Sequence, residues 1–174
     1  RRFRGDTFRI IEEEPERLAE IKGISERKAR EIAEQMEEKK ELRQAMMFLT
    51  GYGISMPLAV KIYQKYGQRT YQIMQENPYR LADDISGVGF KTADEIAEKI
   101  GIHTDSDYRI RSGLLYVLQQ ASMEGHTCLP RQELLGRASE LLGVGEEGIQ
   151  VQIMNLCMDR KLVIREKNGE SMVF

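Results

Sequence analysis

The stretch GVGFKTADEIA, Gly87–Ala97, decides how the chain is to be read. Gly87 and Gly89 bracket one apolar residue, Val88, and Ala93 and Ile96 come after them, one helical turn apart. Glycine permits a tight reversal that a side chain would strain. The apolar residue plugs the gap between two short helices, while Ala and Ile on one face of the second helix meet the first. The small Ala lets the two helices approach closely. The spacing Gly–apolar–x4–Ala–x2–Ile therefore predicts a helical hairpin.

The same spacing recurs at Gly53, Ile54, Ala59 and Ile62, and again at Gly23, Ile24, Ala29 and Ile32. The flanks repeat as well: Phe3, Thr7, Pro15, Arg17 and Leu18 fall on Tyr66, Thr70, Pro78, Arg80 and Leu81. Self-similarity of this kind marks tandem supersecondary units. Pro15 and Pro78 are each expected to open a short helix, where a missing N–H costs nothing. If the second repeat is a complete unit of two hairpins, the first has lost its opening hairpin, so a chain starting partway through a domain is expected.

Working outward, helices are expected at 7–13, 15–20, 25–48, 56–66, 70–76, 78–83, 90–100, 107–123, 131–142 and 147–160. Gly67 and Gly101 look like helix stops, and Thr70 and Asp107 like starts. The charged run AEQMEEKKELRQA (33–45) reads as an exposed linking helix. After residue 103 a helix with Ile110, Leu114, Leu115, Val117 and Leu118 leads into a β-prone segment at Thr127–Leu129. A helix opened by Pro130 and a third carrying Ile149, Ile153, Leu156 and Cys157 come next. LVIRE (162–166) and SMVF (171–174) then flank Asn168-Gly169, a hairpin signal. Helix–strand–helix–helix–hairpin is the order of a winged helix. The expected fold is mainly α, with a tandem helix-hairpin-helix domain over 1–103 and a winged-helix-like α+β module over 104–174.

The chain has 174 residues, with 26 Lys plus Arg, 28 Asp plus Glu and a net charge of −2. A hydrophobic share of 41% beside 31% charged residues suits a soluble, helix-rich protein. No apolar run suits a membrane span, and Arg1-Arg2-Phe3-Arg4 lacks a signal-peptide core, so a cytoplasmic protein without membrane partners is expected. No segment carries a basic excess, so nucleic-acid binding must come from placed groups rather than bulk potential. Cys128 and Cys157 lack metal-ligand neighbours and read as small apolar core residues. The Met residues, including Met46-Met47, Met154 and Met158, read as core filler.

The hairpin loops are the candidate site. Around Gly87, Val88 and Gly89, just before a helix N-terminus, free amides and the helix dipole converge and suit an anion such as a nucleic-acid phosphate. Lys91 adds a charge and Thr92 a hydroxyl. The loop Gly51-Tyr52-Gly53-Ile54-Ser55 repeats the arrangement with Ser55 for the second Gly. KGISERK (22–28) does so with Gly23 and Ser25, beside Lys22, Arg27 and Lys28. Glu12, Glu13, Glu14 and Glu26 oppose a phosphate at that first loop. The same hairpin also serves purely for packing, so both readings stand at this point.

Enzyme readings fail. Gly87-x-Gly89-x-Lys91-Thr92 is no P-loop, which needs G-x4-G-K-[ST] to encircle phosphates. His103 and His126 are isolated and read as surface residues. Asp83-Asp84 and Glu146-Glu147 read as caps or solvated carboxylates. The helix at 147–160 offers Gln150, Gln152, Asn155 and Arg160, thin equipment for base reading.

The three hairpins, with flanks EEEPERLAEIKGI and ENPYRLADDISGVGFKTADEIA, resemble the helix-hairpin-helix region of RecD-like DNA helicases, in the longer bacterial form with an N-terminal extension. GLLYVLQQASMEGHTCLP with LVIRE resembles the module preceding the motor in that family, which includes the exodeoxyribonuclease V alpha subunit. The resemblance implies an ATP-dependent 5′→3′ superfamily-1 helicase of DNA repair and recombination as the parent. ATP and Mg2+ would belong to its motor, and this chain itself would need no cofactor. Ser25 and Ser55 depart from the family's second Gly, whereas Gly87 to Thr92 match fully. The function expected is DNA binding, single-stranded or forked, through backbone phosphates beside the motor domains. The alternative is a structural module packing on the motor or a partner without touching DNA. A base-excision glycosylase, with Asp105 or Asp107 nominated by position, is a weaker third option.

Overall fold

The structure, a computed structural model, describes residues 4–174. Phe3, the repeat partner of Tyr66, lies outside the described residues. A 3-10 turn at Arg4–Asp6 precedes α1 (Thr7–Glu13), and a second 3-10 segment covers Pro15–Glu20. Then come α2 (Glu26–Gly51), α3 (Met56–Tyr66), α4 (Thr70–Glu76), α5 (Arg80–Asp84), α6 (Phe90–Ile100) and α7 (Asp107–Met123). The rest is β1 (Leu129–Pro130), α8 (Arg131–Leu142), α9 (Glu146–Met158), β2 (Ile164–Lys167) and β3 (Glu170–Val173). The architecture is mainly α with one small antiparallel sheet, ordered β1-β3-β2, among the described residues.

Contacts group these elements into two compact units, one up to Thr70 and one from Tyr71 to Phe174. The sequence pattern changes at 103/104, but packing joins the third hairpin to the elements after it. That packing runs from α5 to α6 and from α6 to α7.

In the first unit, Ile10, Leu18 and Ala29 are buried together, with Ile11, Ile21, Ile24 and Ile32 packed around them. The segment Pro15–Glu20 is 3-10 rather than α, the tighter form common in short connectors. α2 is one unbroken helix through the charged run, and it ends where Gly53, at φ +74°, turns the chain into α3. Ile54, Ala59 and Ile62 are buried behind that turn, as the repeat predicts.

In the second unit the same roles fall to Gly87 at φ +89° and to buried Val88, Ala93 and Ile96. Pro78 sits in a turn ahead of α5, where its carbonyl accepts from the Leu81 amide, rather than at the first helical position. Ser106 caps α7 by accepting from the Arg109 amide, so the helix opens one residue after its cap at Asp107. α7 packs on α8 and α9. Gly113 makes the first of these crossings close: a Cβ built there would lie 2.6 Å from Cδ2 of Leu142. β2 and β3 pair across Asn168-Gly169, and Leu129 of β1 lies opposite Val173. The predicted order helix–strand–helix–helix–hairpin is realised.

Three expectations about burial need correction. Met47, Met154 and Met158 are 68%, 51% and 75% exposed, and the fully buried methionine is Met74. Cys128 and Cys157 are half-buried thiols rather than core residues. Gln152, nominated for a groove, is 3% exposed. It accepts from Nε of Arg111 at 2.9 Å and from Nδ2 of Asn155 at 3.2 Å.

Candidate nucleic-acid interface

A helix leaves its first amides without intrahelical acceptors, so the residues just past each hairpin glycine decide how many remain outward. In the third hairpin Gly89 is the N-cap of α6 and has no side chain to accept from them. The first helical bond runs from the Ala93 amide to the Gly89 carbonyl at 3.1 Å. The amides of Gly89, Phe90, Lys91 and Thr92 therefore have no acceptor among the described residues. Gly87, Gly89 and Lys91 are exposed, and Thr92 is half-buried. The loop carries the positive end of an 11-residue helix, where anions are favoured.

Val88 belongs to the hairpin's interior. Its side chain is 7% exposed and its amide donates to the Ile85 carbonyl at 3.1 Å. The equivalent plug residues Ile24 and Ile54 likewise have their amides occupied, by Ile21 and Leu49. Phe90 is 3% exposed and anchors the loop from below.

The first two hairpins present fewer amides. Ser25 caps α2, its hydroxyl accepting from the Lys28 amide at 3.2 Å, so one outward donor is consumed. The Lys28 and Arg27 side chains are exposed, but Arg27 pairs with Glu31 at 3.1 Å. In the second hairpin Ser55 caps nothing, and Pro57 in the first turn of α3 supplies no N–H at all. Gly51 is the last residue of α2, and the Gly53 amide donates to the Thr50 carbonyl at 2.9 Å. The third hairpin thus has the fullest set of free donors. The two hairpins with Ser in place of the second Gly have each lost one, by different routes.

A polar lock holds the third hairpin from behind. Arg109 of α7 grips Asp94 of α6 with two hydrogen bonds, 2.8 Å to Oδ1 and 3.1 Å to Oδ2. Its Nη1 donates to the carbonyls of Thr104 and Leu142, at 2.8 and 2.7 Å. The Tyr79 hydroxyl donates to Asp94 Oδ1 at 2.6 Å. Burial first, then the bond to Asp94, pushes the Tyr79 phenol well above its ordinary pKa. The same carboxylate raises the Arg109 guanidinium. Tyr79 also starts a row of rings: it stacks on Phe90 at 5.9 Å, and Phe90 stacks on Tyr116 at 5.5 Å.

Sequence reasoning missed Asp94, Arg109, Tyr79 and Tyr116. A bidentate Arg–Asp pair between two helices leaves no mark in spacing, whereas Ser112, Tyr116 and Gln119 recur at helical intervals along α7 and could have been read as one face. His103 is exposed at the turn after α6, His126 is exposed, and Asp105 stands exposed ahead of α7. No group of His, Cys, Asp and Glu among the described residues could hold a metal ion. None of the described helices is long and apolar enough to cross a membrane.

Comparison with known proteins gives the same outline. A family described as the ATP-dependent RecD2 DNA helicase HHH domain matches residues 38–128, from within α2 through the third hairpin to the end of α7 and just beyond. A SAM-like helix-hairpin-helix tandem matches residues 6–38, the first hairpin. The ATP-dependent RecD2 DNA helicase of Deinococcus radiodurans is 25% identical over 130 residues, covering 74% of this chain and 18% of that protein. The chain thus spans less than a fifth of the length of that relative.

Proposed function

The chain belongs to the family of ATP-dependent RecD2 DNA helicase HHH domains, and on that footing we propose that its third hairpin binds DNA. It does so beside the motor of a RecD-like helicase, through backbone phosphates. The observation that carries the reading is the set of unsatisfied amides at Gly89, Phe90, Lys91 and Thr92. They stand behind an exposed glycine turn with Lys91 adding one charge. A phosphate on such a cluster needs little bulk basicity, which reconciles DNA binding with a net charge of −2.

ATP and Mg2+ belong, in this reading, to a motor whose P-loop is not among these residues. The 5′→3′ polarity, the role in repair and recombination, and the cytoplasmic location come with the parent enzyme. The chain's own task is to hold or guide a strand next to that motor. The first hairpin contributes less, because Ser25 already occupies an amide and Glu26 sets a negative charge in the same first turn. The second contributes less because Pro57 lacks a donor.

Titration of single-stranded and forked DNA against this chain over a salt series tests the reading. Few phosphates are neutralised, so the dependence of affinity on salt should be shallow, with a log–log slope of about −1 to −2. Lys91→Glu should weaken binding and leave the fold intact. Binding unchanged by Lys91→Glu and by Gly89→Asp would count against it.

A second reading has one observation in its favour. The outward face of α9 carries Val151, Met154 and Met158, each at least half exposed, where a DNA-reading helix would carry polar groups. The winged-helix-like part is therefore better suited to packing against protein than to entering a groove.

A further inference from the structure

Resting on the phosphate reading of the third hairpin, we propose that the cleft beside Gly89 accepts one unpaired nucleobase of single-stranded DNA, stacked at Tyr116.

The row of rings that begins at Tyr79 has one closed end and one open end. Tyr79 and Phe90 are each 3% exposed, and Tyr79 is tied by its hydroxyl to Asp94. Tyr116, the last ring, is half-buried and tilted 29° from Phe90, close to parallel. It lines a cleft of about 330 Å³ between the third hairpin and α7, at the small end of the range for ligand sites. Gly89 lines the same cleft, so the free-amide turn and the terminal ring share one opening. A strand that sets a phosphate on those amides brings its next base to the ring.

The remaining walls suit the edge of a base. Ser112 and Gln119 lie one turn to either side of Tyr116 along α7, and neither side chain has a hydrogen-bond partner among the described residues. Asp83 stands at the α5 side of the cleft. Its carboxylate repels a phosphate and accepts from an exocyclic amino group, so it favours adenine or cytosine over thymine. Bases within a duplex are already stacked on both faces, whereas a single strand offers free faces to aromatic side chains. The site therefore gives the hairpin a preference for single-stranded over duplex DNA, which amides alone would not.

The test is fluorescence anisotropy with the whole 174-residue chain. The probes are a labelled single strand rich in adenine, the same strand with abasic residues, and the corresponding duplex. The parent chain should bind the intact strand about tenfold more tightly than the abasic one, the size expected of one stacked base. Tyr116→Leu keeps apolar contact with Phe90 but removes the ring, and should abolish that difference. Tyr116→Phe, which restores a ring, should restore it. Equal binding of intact and abasic strands by the parent chain overturns the proposal without needing any variant. If Gly89→Asp weakens both strands while the parent does not discriminate between them, the base site falls and the phosphate site stands. If Gly89→Asp changes nothing either, both fall.

Discussion

Arg109 holds Asp94 in a two-pronged grip, 2.8 and 3.1 Å, and the same guanidinium donates to the last carbonyl of α8 at Leu142, 2.7 Å away. One side chain thus ties the third hairpin to two helices of the C-terminal unit. The side chains are 12% and 26% exposed, so the pair is shielded enough to matter more than a surface ion pair. Removing either partner leaves the other's charge half-buried without its counter-ion, with only the neutral Tyr79 hydroxyl left on Asp94 or the Thr104 and Leu142 carbonyls left on Arg109. Asp94→Ala or Arg109→Ala should therefore cost about 2 kcal/mol in urea unfolding. The double variant should lose less than the sum of the two, which a double-mutant cycle reads directly.

The phenol of Tyr79 makes this lock sensitive to alkali. Its folded pKa lies above the ordinary value of 10.0, first because of burial and then because it donates to Asp94. Above about pH 10 the unfolded phenol ionises while the folded one resists, so stability is intact below that pH and falls as the pH rises past it. Chemical denaturation at pH 9 to 11, as a rough span around that value, should show this decline, and Tyr79→Phe should flatten it.

Gly113 tests how closely α7 and α8 are packed. Alanine in a helix interior normally gains about 1 kcal/mol over glycine. Here its Cβ would lie 2.6 Å from Leu142, which is itself only 4% exposed and has little room to yield. Overpacking of that kind costs about 1–3 kcal/mol, so Gly113→Ala should be net destabilising. In a Leu142→Ala background the clash is gone and the sign should reverse. Thermal melts of the four proteins decide it.

Gly89 separates folding from binding better than Gly87 does. Gly87 sits at φ +89°, so any side chain there strains the turn. Gly89 is an extended N-cap at φ −100° with open space around it, where Asp is a preferred residue. Gly89→Asp should raise stability by about 0.5 kcal/mol while setting a negative charge where a phosphate would sit. DNA affinity should fall at least about tenfold. Gly89→Ser, which reproduces the cap at Ser25, should give a smaller loss by occupying one amide.

Much of the fold is legible in the sequence, because the hairpins rest on local rules. The plug residues, the small Ala at each helix crossing, the positive-φ glycines and the Asn-Gly turn all derive from spacing. The features that escape depend on which face an element finally buries. Met154 and Met158 read as core by residue type, yet α9 turns Ile149, Ile153 and Leu156 inward and leaves them outside. Gln152 goes the other way, buried because Arg111 and Asn155 satisfy its carbonyl. In the candidate site the glycines and Lys91 are visible from the sequence. The support from Asp94, Arg109 and Tyr79 is not, since it joins segments that only folding brings together.

Backbone amide shifts, tracked residue by residue as single-stranded DNA is added, address the phosphate contact at its source. The largest changes should fall on Gly89, Phe90, Lys91 and Thr92, with weaker ones at Glu26 and Arg27 and at Met56 and Leu58. Silence at the third hairpin, or changes concentrated along Val151 to Met158, would contradict DNA binding by these amides.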